Sequence, residues 1–215
     1  MDGSTTKSLT IANPSETNLT STVLDSDLRT LLLTAANTDS GTSTSALALA
    51  RQLSEMSSGP VLLVDASYST NNLSQQLGLQ KERGFCDLLF NTESPPLLQD
   101  CIVQVSSLPF HVLPNGRHTH NVERLNPETL RPLLKQLGTQ YRFVVIDGDA
   151  VYSAADTLVI STLVDGVVLV VRAEETRWEV AQAATQRLTQ AGAKPVGCIF
   201  NRRKYYMPKW LYNNL

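Results

Sequence analysis

What this chain has little of narrows its class first. It has three cysteines in 215 residues, Cys86, Cys101 and Cys198. Their spacing forms neither a C-x-x-C pair nor a zinc-ligand set, so reduced thiols are expected rather than a disulfide framework or a structural zinc site. The three histidines, His111, His118 and His120, have no cysteine or carboxylate nearby to complete a metal set. Charged residues make up 18% of the chain and the formal net charge is -2. That balance gives no bulk attraction to nucleic acid or to anionic lipid. No apolar run approaches the roughly 20 residues of a membrane span. The polar opening MDGSTTKSLTIANPSETNLTST has neither a basic start nor an apolar core, so no signal peptide is expected. The expectation is a cytoplasmic protein, or one made peripheral through a partner.

A further absence lies inside the most informative stretch. Thr30 to Ala36 (TLLLTAA) reads as a buried strand. It runs into Asn37-Thr38-Asp39-Ser40-Gly41-Thr42-Ser43-Thr44 and then the helix pattern SALALARQL. Strand, small-residue loop and helix make the layout of a phosphate-binding P-loop, whose full form is G-x-x-x-x-G-K-[ST]. Gly41 and Ser43 fit that form, but Ala36 stands at its first glycine and Thr42 at its lysine. Gly41, Thr42, Ser43 and Thr44 are therefore the candidate phosphate cradle, without the side chain that grips the β- and γ-phosphates. Ser43 and Thr44 read equally as ordinary helix-capping residues. Helix N-terminal amides attract anions in either case. Asp39 adds a negative charge within the loop. Two unit charges about 4 Å apart cost roughly 4 kcal/mol at an effective dielectric of 20, so triphosphate affinity is expected to be much reduced.

The rest of the chain supplies a frame for this loop. Apolar runs without alternation recur at Val61–Asp65, Phe110–Leu113, Phe143–Asp147, Gly166–Val171 and Pro195–Phe200, as expected for strands covered on both faces. Between them the pattern predicts helices over Thr44–Met56, Pro127–Gln140, Ala154–Leu163 and Arg177–Ala191, the last with Val180, Ala184, Leu188 and Ala191 on one face. Alternating strands and helices imply a three-layer, doubly wound α/β domain with a mainly parallel sheet, which binds ligands at the carboxyl ends of its strands. One such domain is expected over residues 26–203. An arm rich in Ser, Thr and Asn precedes it (1–25), and an aromatic and basic tail follows it (204–215).

Asp65 and Asp147 end two of the predicted strands. A carboxylate at the tip of a buried strand is costly unless it is solvated, paired or metal-bound. Beside a P-loop the pair suggests Mg²⁺ held through Ser43 and water; alone, each would read as the cap of the next turn. Asn201 follows the final strand, where its amide could read adenine or simply close a turn. The tail places Tyr205, Tyr206, Trp210 and Tyr212 among Lys204 and Lys209, a composition that suits a docking segment or a phosphoacceptor cluster as well as simple packing.

The order of these features resembles the bacterial tyrosine kinase family of exopolysaccharide and capsule synthesis, within the wider group of deviant P-loop ATPases that includes MinD and ParA. The resemblance runs from about Leu28 to Leu215. It is carried by GPVLLVDASYSTNNLSQQLGL, by GFCDLLF and HVLPNG, and by the long stretch from YRFVVIDGDAVYSAADTL to PVGCIFNRRKYY. It implies ATP or ADP with Mg²⁺ as cofactor. Asp147 matches the Walker B aspartate, and Asp65 the second aspartate, which helps hold the metal and activate the acceptor hydroxyl. Ser43 matches the magnesium-binding residue and Asn201 the adenine contact. Tyr205, Tyr206 and Tyr212 are what remains of the tyrosine-rich tail.

The departures from the family pattern concern function more than frame. Thr42 replaces the lysine and Asp39 a glycine; Ser67 replaces an acid after Asp65. Gly148-Asp149-Ala150 stands where the family has Thr-Pro-Pro. The family's N-terminal oligomerisation helix is not recognisable before Leu28, with Arg29 its only candidate remnant. The reading this supports is a degenerate kinase that scaffolds or regulates an inner-membrane polysaccharide co-polymerase, through that partner's cytoplasmic segment, or an active kinase paralogue. A homodimer stays open and no nucleic-acid partner is expected. The alternatives are an active tyrosine autokinase using a cation other than the lysine, and a MinD-like positioning ATPase.

Overall fold

The computed structural model describes residues 17–91, 94–117 and 124–202. The strands are β1 (Thr30–Ala35), β2 (Val61–Asp65), β3 (Val103–Gln104), β4 (His111–Leu113), β5 (Phe143–Asp147), β6 (Gly166–Arg172) and β7 (Pro195–Asn201). The helices are α1 (Thr17–Leu24), α2 (Thr42–Met56), α3 (Leu73–Gln76), α4 (Phe85–Phe90), α5 (Pro127–Gln140), α6 (Ala155–Leu163) and α7 (Trp178–Gln190). The strands form one sheet in the order β3-β4-β2-β5-β1-β6-β7. All pairings are parallel except β3 with β4.

Every residue of β1, β2 and β5 is buried, which explains the unbroken apolar runs. Alternate side chains enter two cores. One, with Leu31, Leu33, Leu63 and Val145, is closed by Ala46, Leu49, Ala50 and Leu53 of α2. The other, with Leu32, Val64 and Ile146, is closed by leucines of α5, Ile160 of α6, and Ala181, Ala184 and Leu188 of α7. The buried stripe of α7 thus runs through Ala181 rather than Ala191, which is exposed. Among the described residues, no helix is long and apolar enough to cross a membrane.

The arm expected over 1–25 differs in part. Thr17–Leu24 form α1, with Val23 fully buried and Thr20 Oγ1 donating to Gln52 of α2 at 2.6 Å. Its composition is polar because only one face is covered. Residues 1–16 lie outside the described part, as do Arg203 and the tail. β3, α3 and α4 were not expected. They have two, four and six residues, too few to show a period.

The topology positions the loop after β1. From β1 the chain moves to β2, out to the β3 edge and back to β4, returns to β5 between β2 and β1, and then continues to β6 and β7 on the other side. Strand order therefore reverses at β1, the point where doubly wound sheets open a crevice at their carboxyl end.

Candidate functional site

The β1–α2 loop is the floor of that crevice. Asp39 and Gly41 both lie in the left-handed region, at φ 59° and 85°. Gly41 is the N-cap of α2 and no side chain among the described residues caps that helix. Ser43 and Thr44 thus lie inside the first turn rather than capping it, and no acidic residue lies in that turn. Uncapped first-turn amides favour an anion. Ser40 is fixed by its own hydroxyl, which donates to Asn37 O at 2.8 Å. No lysine or arginine occurs between Asn37 and Thr44.

Asn201 closes over this loop. β7 ends beside it, held by the Ala173 N–H donating to Asn201 O at 2.9 Å. The Asn201 Nδ2 donates to Ser40 O at 2.9 Å, and its Oδ1 accepts the Arg202 N–H at 2.8 Å. A Cβ at Gly41 would collide with that amide. Asn201, expected either to read adenine or to close a turn, makes one bond to protein at each end of its amide, because β7 delivers it directly onto the loop.

Asp65 and Asp147 are ladder neighbours across β2 and β5. Both lie two residues beyond side chains of the α2-side core, so they point to that side of the sheet. Both are fully buried, yet their surroundings differ. Asp65 Oδ1 accepts the Ser67 N–H at 3.2 Å, and its Oδ2 accepts Ser74 N–H at 2.7 Å and Ser74 Oγ–H at 2.5 Å. Burial pushes its carboxyl up to about 6, against the pull of those hydrogen bonds. Among the described residues, Asp147 has no well-formed hydrogen bond to either oxygen. Burial pushes it up to about 8; the nearby Ser43 hydroxyl offsets part of this, and the charges of Asp65 and Asp149 add to it.

Other residues of the crevice carried no role in the sequence reading. Asp149 clamps the β2 loop, accepting Ser67 Oγ–H at 2.5 Å and Tyr68 N–H at 2.9 Å. The Ser67 that replaces an acid is thereby its partner. Asn115, in the turn after β4, donates through Nδ2 to Asp65 O at 3.4 Å and Ser67 O at 3.0 Å, while its N–H donates to Ser74 Oγ at 2.7 Å. Asp87 of α4 holds the same turn, accepting the Gly84 and Arg117 N–H groups, each at 2.9 Å. The only sequence signal for this network was the turn string Pro114-Asn115-Gly116.

Among the described residues no group of three or more His, Cys, Asp and Glu side chains is arranged to hold a metal. Magnesium needs less, one or two carboxylates together with substrate phosphates and water. The orphaned Asp147 beside Ser43 fits that minimal set. Asp65 fits it poorly, because its oxygens already brace the β2 loop. The loop itself supplies no cation for a triphosphate. Cys86 and Cys101 are buried and free, Cys198 half-buried and free. Tyr205, Tyr206, Tyr212, His118 and His120 lie outside the described residues.

No protein-family model matches the chain. Curated proteins and solved structures do. It is 25% identical over 189 residues to the tyrosine-protein kinase YwqD of Bacillus subtilis, a match covering 87% of this chain and 78% of that protein. The relatives of this chain are bacterial tyrosine kinases. The putative tyrosine-protein kinase EpsB of Ralstonia solanacearum is 29% identical over 143 residues, which is 66% of this chain but 18% of that protein. The VpsO kinase domain superposes with a TM-score of 0.74 at 29% identity, covering 87% of this chain and 93% of that one. MinD of Pyrococcus horikoshii, solved with Mg-ADP, shares the fold at a TM-score of 0.65 and 21% identity. The sheet of these tyrosine-kinase relatives and of the MinD and ParA ATPases is thus the sheet found here.

Proposed function

We propose that this chain is a nucleotide-impaired relative of the tyrosine kinases of exopolysaccharide and capsule synthesis. It serves as a scaffold or regulator of an inner-membrane polysaccharide co-polymerase or of an active kinase. The observation that carries this reading is the state of the β1–α2 loop. The loop has no basic side chain from residue 37 to 44, and Asn201 is bonded onto Ser40. A triphosphate gathered there would find backbone amides but no ammonium to offset its charge. The lysine's contribution is of the order of several kcal/mol in a partly dry site. Phosphoryl transfer depends mainly on positioning and charge neutralisation, so its loss should remove turnover before it removes the fold.

Calorimetric titration of the full chain with ATP and ADP, with and without Mg²⁺, tests this. The expected result is no binding tighter than about 1 mM, and no phosphate on Tyr205, Tyr206 or Tyr212 after incubation of the purified, kinase-free protein with Mg-ATP. Ordinary micromolar affinity, or phosphate on those tyrosines, would overturn it. Thr42→Lys is expected to raise Mg-ATP affinity at least about tenfold.

One observation favours a second reading, an active autokinase with a substitute cation. Asp147 beside Ser43 keeps a corner fit for Mg²⁺, and Arg202 follows Asn201 at the edge of the loop. On that reading Asp147→Asn abolishes turnover and Arg202→Ala weakens nucleotide binding.

A further inference from the structure

The opposite side of the molecule holds a cavity of about 540 Å³ that neither the loop nor the carboxylates reach. It lies where the 3-10 turn Leu98–Asp100 and β3 face the end of α5, beside the first residue of β4. This is the amino end of the parallel strands; the crevice is at their carboxyl end. Its lining includes Gln99, Gln104, Gln136 and Gln140, the rings of His111 and Tyr141, and the apolar side chains of Leu97, Leu98 and Ile102.

The lining holds no lysine, arginine, aspartate or glutamate. Gln136 and Gln140 are one helical turn apart on α5 and so present their amides together. Gln104 is committed, donating through Nε2 to Leu108 O at 3.0 Å. The side-chain amides of Gln99, Gln136 and Gln140 make no hydrogen bond among the described residues. His111 stands edge-on to Tyr141, with ring centroids 5.7 Å apart. Its Nδ1 is shut off from solvent without a hydrogen-bond partner among the described residues, an unmet demand that native interiors rarely leave standing. A turn of the imidazole would offer that nitrogen to an occupant of the cavity.

We propose that this cavity is a second ligand site, for a neutral, hydroxyl-rich molecule of the saccharide class. Each free amide both donates and accepts, which suits hydroxyl groups that do the same. With no lysine or arginine in the lining, a phosphate or a carboxylate would lack the fixed positive partner it usually has. The apolar strip of Leu97, Leu98 and Ile102 takes the C–H face of a sugar ring, and the volume falls in the range of small-molecule sites. The proposal is independent of kinase activity and of the state of the phosphate loop.

The test is a chemical-shift titration of the full chain, following the side-chain amides of Gln99, Gln136 and Gln140. The probes are glucose, galactose and N-acetylglucosamine, with maltohexaose to separate a free sugar from a longer glycan and glucuronic acid as the charged control. At least one neutral probe is expected to shift these amides, with affinity reduced about tenfold or more in Gln136→Leu and in Gln140→Leu. Both positions are exposed on α5, so both variants should keep the parent melting temperature. Preference for maltohexaose over every monosaccharide would assign the site to a glycan chain, and the reverse to a free sugar. The proposal fails if no neutral probe shifts the amides at about 10 mM. It also fails if the shifts survive both substitutions, or if glucuronic acid binds as well as the neutral sugars.

Discussion

Asp65 and Asp147 sit side by side on adjacent strands, equally buried, and the two corners they occupy could hardly be less alike. Around Asp65 the hydrogen-bonding groups find partners. Ser67 and Ser74 bond its carboxylate, Asn115 bonds its carbonyl, and Asp149 holds the β2 loop over it. Around Asp147 both oxygens are left without a well-formed bond, beside a loop with no cation. The first corner is built as a brace for the chain. The second buries a carboxyl group that braces nothing among the described residues. A carboxylate at a strand tip thus has no fixed meaning; its neighbours decide between brace and ligand.

The largest test of that contrast is Asp65→Ala. Three donors lose their acceptor inside the fold, and each buried unsatisfied group costs about 1–3 kcal/mol. A loss of about 3 kcal/mol in urea unfolding is expected; a change below about 0.5 kcal/mol would mean that Asp65 is not the brace described.

Asp147→Asn should move stability in the opposite direction. The folded-state value of Asp147 is raised, to about 8. Between about pH 4 and pH 8 the folded protein therefore holds a proton that the unfolded chain has released. Stability contributed through this residue accordingly falls as pH rises across that window. The amide carries no such term, so Asp147→Asn should be near neutral at pH 5 and stabilising by about 2 kcal/mol at pH 8, after discounting for relaxation. Unfolding curves at the two pH values decide it, and an advantage that shrinks toward pH 8 would reverse the assignment.

Asn115→Ala sharpens the comparison from outside the strands. It removes the amide that ties the β4 turn to both Asp65 O and Ser67 O. About 1.5 kcal/mol should be lost, and amide exchange should quicken in residues 65–76 but not in the β1–α2 loop. The smallest effect belongs to Asp39→Gly. Asp39 is held at φ 59°, where glycine is free of strain but carries more entropy in the unfolded chain. A net gain of about 0.5 kcal/mol is expected, together with weaker repulsion of inorganic phosphate at the α2 N-terminus. Phosphate titration of the variant against the parent reads the second effect.

Much of the frame was legible in the chain itself. β2 and β5 occupy the residues their apolar runs predicted, and α5 starts at Pro127 with Asn126 accepting the Glu128 N–H as its cap. The site was legible only as a set of positions. Asp65, Asp147, Ser43 and Asn201 do converge on one crevice, and nothing in the chain signalled that Asn201 would bond to Ser40 of the loop. Ser74, Asn115 and Asp149 were invisible as a group because 75 residues of sequence separate Ser74 from Asp149, and polar residues in loops carry no period to read.

By itself the sequence determined the layers. Unbroken apolar runs require burial on both faces, helical stripes require a sheet to cover, and a loop without lysine cannot supply an ammonium wherever it folds. Tertiary structure alone decided how the loop that bonds Asp65 is held in place. Hydrogen bonding depends on where a loop 40 or more residues away comes to rest, as when Asn115 donates to Ser74 across a separation of 41 residues. The Asp65 carboxylate itself is bonded by Ser67 and Ser74, two and nine residues on; the distant contacts of Asn115 and Asp149 hold the loop that carries those groups.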